Sequence, residues 1–153
     1  MDGAAEPVVK TIRIEATPEQ VFDFIVQSSN MVKWLGLRVD FEARPGGTVR
    51  IDPNGRDVIR GTVLEIRRPS RIVFTWGWEA SGASVPAGST VVEILLEPEG
   101  MATRLTLNHR DLPADMLGRH EVGWTHYLAR LKTVAEGGDA GPDPLADPES
   151  RHG

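Results

Sequence analysis

The sequence contains no cysteine. This absence excludes disulfide bonds, catalytic thiolates, thiolate metal sites and iron–sulfur clusters. The sequence also lacks an excess of positive charge. It has 22 Asp and Glu residues and 17 Lys and Arg residues, which give a net charge of −5. Electrostatic binding to nucleic acid or to an anionic membrane surface is therefore not expected.

Long apolar runs are absent as well. No stretch approaches the ~20 apolar residues that a membrane-spanning helix needs. Residues 1–10 contain Asp2 and Glu6 and no long apolar stretch, unlike a secretory signal. The chain is therefore predicted to lie in the cytoplasm, without membrane association.

The length of 153 residues fits a single domain. After residue 137 the composition changes to an acidic segment rich in Gly and Pro, in which Leu145 is the one large apolar residue. Such a segment cannot bury enough apolar surface to offset the entropy lost on ordering. The sequence therefore predicts a flexible N-terminus over residues 1–7, a folded domain over 8–137 and a disordered tail over 138–153.

The folded domain begins with the patterns of a strand and two helices. Residues 8–15 alternate in polarity, which is typical of a strand. Thr17, Pro18 and Gln20 then match a capping box at the start of a helix, and apolar residues continue at helical spacing to residue 27. A short second helix is predicted over residues 30–35.

The period of the apolar pattern changes to two after Gly36. Short turns and one longer loop of small residues, 79–88, separate six consecutive predicted strands. Residues 114–136 then have the pattern of one long helix, which Gly137 and Gly138 end. The apolar stripe of this helix needs a partner, and the inner face of the sheet is available.

Consecutive strands joined by short connections form an antiparallel meander. With the first strand added, the prediction is an α+β fold in which a curved antiparallel sheet of six to seven strands wraps around the long C-terminal helix. A cleft is expected between the sheet and this helix. Gly118 and Gly123 each cost the helix about 1 kcal/mol relative to alanine, so they indicate close approach to the sheet or to a ligand.

Motifs of a known superfamily run through most of the chain in a consistent order. They are IEATPEQVFDFI at 14–25, Trp34, RPGG at 44–47, GTVLEI at 61–66, RIVFTW at 71–76, TRLTLNHRDLP at 103–113 and GW at 123–124. Over residues 8–136 the chain resembles the helix-grip superfamily, also called START-like or SRPBCC. Within it, the chain resembles the bacterial branch related to the activator of the heat-shock-protein ATPase (AHSA-type). The resemblance implies the helix-grip fold and leaves the function open, since the superfamily includes lipid carriers, hormone receptors, polyketide cyclases and co-chaperones.

Aromatic residues of the strand predicted at 71–78 and of the last helix indicate a hydrophobic cavity beneath that helix. Indole rings suit a ligand site, because each has a large apolar face and one N–H donor. The alternative is that the same residues simply form the core. The predicted ligand-binding residues are Phe41, Phe74, Trp76, Trp78, Leu107, Trp124 and Leu128, with Trp34 near the entrance.

Two histidines are candidates for polar contacts with a ligand. His109 shares a strand face with Leu107, and His120 shares the helix stripe with Trp124. A neutral imidazole in a cleft can orient a ligand or act as a general acid or base, whereas the alternative for each is a hydrogen-bonded core residue. No metal site is predicted, because His126 lies roughly 240° around the helix from His120 and the two side chains cannot share an ion. No cofactor is predicted either.

These features support three hypotheses for function. The first is binding of a small hydrophobic molecule, such as a lipid, a polyketide or an aromatic metabolite, beneath the last helix. The second, implied by the resemblance, is a protein-interaction module that contacts a chaperone in the stress response. The third is an enzyme of the cyclase or dehydratase type that uses His109 or His120. Members of the family are often dimers, so the resemblance also implies a homodimer.

Overall fold

The computed structural model describes residues 7–55, 57–80 and 82–143. These residues form one antiparallel sheet of seven strands, and helices pack against its inner face. The predicted α+β helix-grip architecture is confirmed. Residues 1–6 of the predicted flexible N-terminus and residues 144–153 of the predicted tail lie outside the described residues.

The sheet is a meander to which the first strand is added at one edge. The strands, numbered along the chain, are β1 Val8–Ile14, β2 Arg38–Phe41, β3 Thr48–Asp52, β4 Ile59–Arg67, β5 Arg71–Trp76, β6 Thr90–Glu99 and β7 Ala102–Arg110. Their order in space is β1-β7-β6-β5-β4-β3-β2. Strand β1 therefore pairs with the last strand, and this pairing sets Val8 opposite His109.

The described residues contain three α-helices, α1 Pro18–Val26, α2 Ser28–Met31 and α3 Leu117–Ala135. Helix α1 begins with the predicted capping box, in which the Gln20 N–H donates to Thr17 Oγ1 at 3.3 Å. The Thr17 N–H in turn donates to Gln20 Oε1 at 2.9 Å. None of the described helices is both long and apolar enough to cross a membrane.

Two helix boundaries differ from the prediction. The second helix, predicted over 30–35, ends at residue 31 because the chain then tightens into turns such as the one in which the Lys33 N–H donates to Asn30 O at 3.0 Å. The last helix begins with a 3-10 turn at Ala114–Met116. The Met116 N–H reaches Pro113 O at 2.9 Å, which is the shorter i to i+3 bond of that conformation.

Helix α3 ends at the glycine pair that the sequence indicates. Gly137 has φ +94°, and the N–H groups of Gly137 and Gly138 donate to the carbonyls of Val134 and Thr133 at 3.1 and 2.9 Å. This arrangement is a Schellman motif, and the left-handed backbone at its centre favours glycine.

The residues that follow run back along α3. Arg130 donates from Nη1 to Ala140 O at 3.2 Å and from Nη2 to Gly141 O at 2.9 Å. His126 Nε2 lies 2.7 Å from Asp143 Oδ1. Residues 138–143, which the sequence places in the tail, therefore lie against the helix in the structure.

One face of α3 is buried in the core. This face contacts β1 and α1, so the long helix closes the inner side of the sheet as predicted. The buried residues recur at spacings of three or four, as expected for the apolar stripe of a helix. They are His120, Trp124, Leu128, Leu131 and Val134.

The capping box generates a stability prediction. Thr17→Ala removes the side-chain acceptor for the Gln20 N–H, so we expect the free energy of unfolding to fall by about 1 kcal/mol. Urea denaturation measures this change. Thr125→Ala is the matched control, because Thr125 is exposed inside α3 and its hydroxyl only donates to the Glu121 carbonyl. Alanine is the better helix former there, so equal losses in the two variants would contradict the capping argument.

Candidate ligand-binding site

A cavity of about 680 Å³ lies between the first half of α3 and the end of the sheet where β4 starts and β5 stops. This volume is within the range of about 300–1,000 Å³ that is typical of small-molecule sites. Its walls come from residues 53, 54 and 57–59, from residues 76, 78–80 and 83–85, and from one face of α3. The apolar part of the wall is formed by Ile59, Trp76, Trp78, Val85, Met116 and Trp124.

A glycine after β5 allows the loop to fold over this end of the sheet. The backbone of Pro86 passes so close to Gly77 that a Cβ at this position would lie 1.8 Å from Pro86 O. Trp78 then forms isolated β-bridges with Ile59 and with Pro86. The backbone N–H of Trp78 donates to Val85 O at 2.8 Å. The loop thus returns against the sheet and carries the buried Val85 side chain into the cavity wall.

The structure separates the predicted ligand-binding residues into two groups. The first lines the cavity and consists of Trp76, Trp78, His120 and Trp124. The second is buried without lining it and consists of Trp34, Phe41, Phe74, Leu107, His109 and Leu128. For this second group the placement corresponds to the core alternative.

Trp34, expected near the entrance, is part of the core beside α1. Its side chain is 1% exposed, and its Nε1–H donates to the Phe24 carbonyl at 2.9 Å. Both the apolar face and the one polar atom of this indole are therefore used within the fold.

His109 joins the helix to the sheet through hydrogen bonds behind the cavity wall. Trp124 Nε1–H donates to His109 Nδ1 at 3.0 Å, and His109 Nε2 lies 2.8 Å from Thr90 Oγ1. The Thr90 hydroxyl donates to the Trp76 carbonyl at 2.8 Å. We call this series from Trp124 through His109 and Thr90 to Trp76 the His109 chain.

The His109 chain fixes the proton on the imidazole. Because the Thr90 proton points to a carbonyl, the Thr90 oxygen accepts from His109, so Nε2 carries the hydrogen and Nδ1 is the acceptor. Burial, together with the charge of the neighbouring His120, lowers the pKa of His109 from 6.5 to about 3. His109 is thus a neutral residue with both ring nitrogens hydrogen-bonded.

His120 presents a different arrangement in the cavity wall. Its Nδ1 lies 2.9 Å from the Met116 carbonyl, which only accepts, so Nδ1 carries the proton. Burial lowers the pKa of His120; the bond to Met116 opposes this shift, and the charge of Arg119 adds to it. The other nitrogen, Nε2, is buried and has no hydrogen-bond partner among the described residues.

A second buried polar atom of the wall belongs to Trp76. Its Nε1–H has no partner in the described part of the chain, although the side chain is only 4% exposed. The indole packs against Trp124 and His109, with ring centroids 5.1 and 5.6 Å away. Two residues of the cavity lining, Trp76 and His120, therefore each contain a buried nitrogen without a hydrogen-bond partner in the described part of the chain.

Charged groups occupy the exposed part of the cavity lining. Glu79 and Arg119 are both exposed. The Glu79 carboxylate is balanced by Arg60, whose Nε lies 3.0 Å away, and by Arg50 at 3.7 Å. The ion pairs hold the loop beside β3 and β4 and leave the inner wall apolar.

Metal binding finds no support within residues 7–55, 57–80 and 82–143. No group of three or more His, Cys, Asp or Glu side chains in these ranges is arranged to hold an ion. His126 contacts Asp143 on another side of α3, away from His120. The separation of the two histidines around the helix agrees with the sequence prediction.

Sequence reasoning did not select several residues that line the cavity. Gly123 and Tyr127 follow His120 by three and seven residues, so helical spacing could have placed them on the same wall. A Cβ on Gly118 or Gly123 meets no described atom within 4 Å beyond its chain neighbours and the backbone of its own helix. Close approach to the sheet is therefore not found at either glycine, whereas the alternative, close approach to a ligand, stays a prediction for Gly123, which lines the cavity. Val85 enters the site through closure of the loop, for which the sequence carries no local signal.

A family model describes most of this chain. Residues 15–136 match the model of the activator of Hsp90 ATPase homolog 1-like proteins (AHSA1). The chain belongs to this family. Among curated proteins no match is found.

Solved structures show the same fold. The AHSA1-like protein RHE_CH02687 from Rhizobium etli is 36% identical, with 91% of this chain and 87% of that one covered and a TM-score of 0.72. The Aha1 dimer from Colwellia psychrerythraea is 19% identical, with coverages of 88% and 98% and a TM-score of 0.74. DynU16, from the dynemicin biosynthetic locus, is 19% identical with a TM-score of 0.77; the match covers 89% of this chain but only 49% of DynU16.

The lowered pKa of His109 generates a pH prediction. Below pH 6.5 the unfolded chain binds a proton on this residue, whereas the folded protein binds none until about pH 3. Stability due to His109 is therefore complete above pH 6.5 and is lost as the pH falls through this window, by up to about 1.4 kcal/mol per pH unit. Urea denaturation between pH 7.5 and 4.5 measures the slope.

Two variants test the assignment of this slope. His109→Gln is expected to unfold more easily at pH 7.5 but to lose less stability on acidification than the wild type. His126→Gln is the matched control and should retain the wild-type slope, because it leaves His109 in place. An unchanged slope in His109→Gln would contradict the neutral, buried state of this imidazole.

Proposed function

We propose that this member of the AHSA1 family binds a small, largely apolar molecule in the cavity between α3 and the loop that follows β5. The observation that supports this most is a cavity of about 680 Å³ whose lining is mainly apolar and also contains polar side chains such as His120 and Arg119. Sites for small molecules combine mostly apolar linings with a few placed polar groups. Affinity would come mainly from burial of the apolar surface of the ligand.

The geometry gives less support to the enzyme hypothesis through His109. General acid–base catalysis needs a group within hydrogen-bond reach of a reacting atom. Both ring nitrogens of His109 are engaged in the His109 chain, behind the wall. Among the two candidates, His120 is therefore the residue that a bound molecule would contact.

The family supplies a second candidate function. Its description names activators of the Hsp90 ATPase, which supports contact with a chaperone of that kind. Such contact needs an outer surface and does not need the cavity, so the two functions can be tested separately. A homodimer and a cytoplasmic location also stay predictions for this chain.

A pair of glycine substitutions tests ligand binding. Gly123 lines the cavity, and Gly118 lies on an exposed part of the same helix. Leucine is the better helix former at both positions, and space is open around each Cβ. We expect Gly123→Leu to project a side chain into the cavity and weaken binding, whereas Gly118→Leu retains it.

The readout is a thermal-shift screen with fatty acids, sterols, flavonoids and polyketides, together with tryptophan emission. A ligand at 100 times its dissociation constant should stabilise the wild type and Gly118→Leu by about 2.7 kcal/mol, and the same ligand concentration should stabilise Gly123→Leu less. Equal stabilisation of both variants would refute the cavity as the binding site. Stimulation of Hsp90 ATPase activity by the wild type and by Gly123→Leu alike would instead favour the chaperone function.

A further inference from the structure

The charged side chains of the cavity lining differ in their partners. Three such residues line the cavity in the described part of the chain, namely Asp57, Glu79 and Arg119. The Glu79 carboxylate lies 3.0 Å from Arg60 Nε, and Asp57 Oδ2 accepts a hydrogen bond from Asn54 Nδ2 at 3.0 Å. The Arg119 side chain forms no ion pair or hydrogen bond with any residue that the structure describes. The fold therefore uses the two acidic groups and leaves the guanidinium without a partner.

Arg119 belongs to the face of α3 that borders the cavity. Met116, three residues before it, and Gly123, four residues after it, also line the cavity, and residues at these spacings lie on one side of a helix. Because Arg119 is exposed, it lies at the mouth of the cavity and not in the inner wall. Burial is the main cause of the lowered pKa of His120, and the positive charge of Arg119 contributes to it. The charge of Arg119 is therefore felt at a second residue of the lining.

Gly123 leaves a gap in the cavity wall beside Arg119. Side chains four residues apart on a helix are neighbours, with Cβ positions about 5–6 Å apart. A Cβ on Gly123 would meet no described atom within 4 Å beyond its chain neighbours and the backbone of its own helix. A small polar group of a ligand therefore fits in this gap, within reach of the long Arg119 side chain.

We propose that the cavity binds an amphipathic anion, whose carboxylate lies at the mouth beside Gly123 and pairs with Arg119. The apolar body of this molecule extends inward along the apolar wall, which includes Trp76, Trp78 and Trp124. A guanidinium suits a carboxylate because the two groups can form two parallel hydrogen bonds. This inference rests on the proposed function, since it specifies the ligand class of the same cavity.

The exposed position of Arg119 determines how large the effect is. A carboxylate at the mouth keeps part of its hydration, so the large cost of burying a charge does not arise there. Exposed ion pairs contribute little because water and salt screen them. Affinity therefore comes mainly from the apolar body, and Arg119 determines the preferred charge of the ligand. An ammonium group in the same place would be repelled.

Matched probes test the charge preference by isothermal titration calorimetry at pH 7.5. 2-Naphthoate and 2-naphthamide have the same aromatic body and differ in charge, and octanoate and octanamide form the corresponding aliphatic pair. The ratio of affinities within a pair cancels the burial of the shared body. We expect Arg119→Gln to weaken binding of the acid about threefold and to leave the amide unchanged. Arg119→Glu should weaken binding of the acid about tenfold, because attraction is replaced by repulsion.

Arg110→Gln is the matched control. Arg110 is also exposed and forms no ion pair with a described residue. It follows the inward-facing His109 in β7, so it lies on the outer face of the sheet, away from the cavity. We expect this variant to keep the wild-type ratio of the two affinities. Added NaCl should reduce the affinity of the wild type for the acid and should have little effect on Arg119→Gln.

The outcomes separate this inference from the function on which it rests. An acid-to-amide ratio that is the same in the wild type and in Arg119→Gln would overturn the anion site, while binding of the amide would leave the cavity function intact. Equal losses in Arg119→Gln and Arg110→Gln would also overturn it, because a general effect of net charge would then suffice. Tighter binding of the cation 2-(aminomethyl)naphthalene than of 2-naphthoate would overturn the sign of the preference.

Gly123→Leu distinguishes the two levels of the argument. If the cavity is the binding site, this variant should weaken binding of the acid and the amide together, whereas Arg119→Gln acts on the acid alone. An Arg119-dependent ratio in either pair supports the proposal, and the pair with the higher affinity shows whether the body is aromatic or aliphatic. Absence of binding for all four molecules would overturn both the anion site and the cavity function for ligands of this size.

Discussion

The hydrogen bond from Trp124 to His109 is the constraint on which the site depends. It is the point where the long helix and the sheet are joined by polar atoms inside the core. Through Thr90 the same chain continues to the backbone of Trp76, so the two tryptophans, whose ring centroids are 5.1 Å apart, are connected by one series of bonds. A single imidazole thus links α3 to the strands β5 and β6 beside the cavity.

Most of the fold could be predicted because its signals are local. Alternation of polarity predicted the strands. The capping box at Thr17 predicted the start of α1, and the pair Gly137 and Gly138 predicted the end of α3. The errors occurred where backbone hydrogen bonding switches from one helical type to another. Backbone bonds from residue i+3 to residue i occur both in the 3-10 turn at Ala114–Met116 and after the early end of α2, and neither feature has a distinct residue pattern.

The candidate site could be predicted only in part, because its geometry depends on contacts between distant segments. Strand alternation identified Trp76 and helical spacing identified Trp124. The sequence could not distinguish His109 from His120, because each lies among apolar residues. Only the hydrogen bonds that His109 forms with Trp124 on α3 and with Thr90 on β6 show that both of its ring nitrogens are bonded. The depth of the cavity was also inaccessible, because it is set by how the loop after β5 folds back.

That loop has a consequence for how the family could diversify. Its return path is held by the close contact at Gly77, by the bridges of Trp78 and by ion pairs of Glu79, whereas the sheet register and the helix are held elsewhere. The fully buried Val85 of this loop belongs both to the hydrophobic core and to the cavity wall. A change at this position would therefore alter the shape of the cavity and the stability of the fold together. Variation of the cavity through this loop is thus limited by the packing of the core.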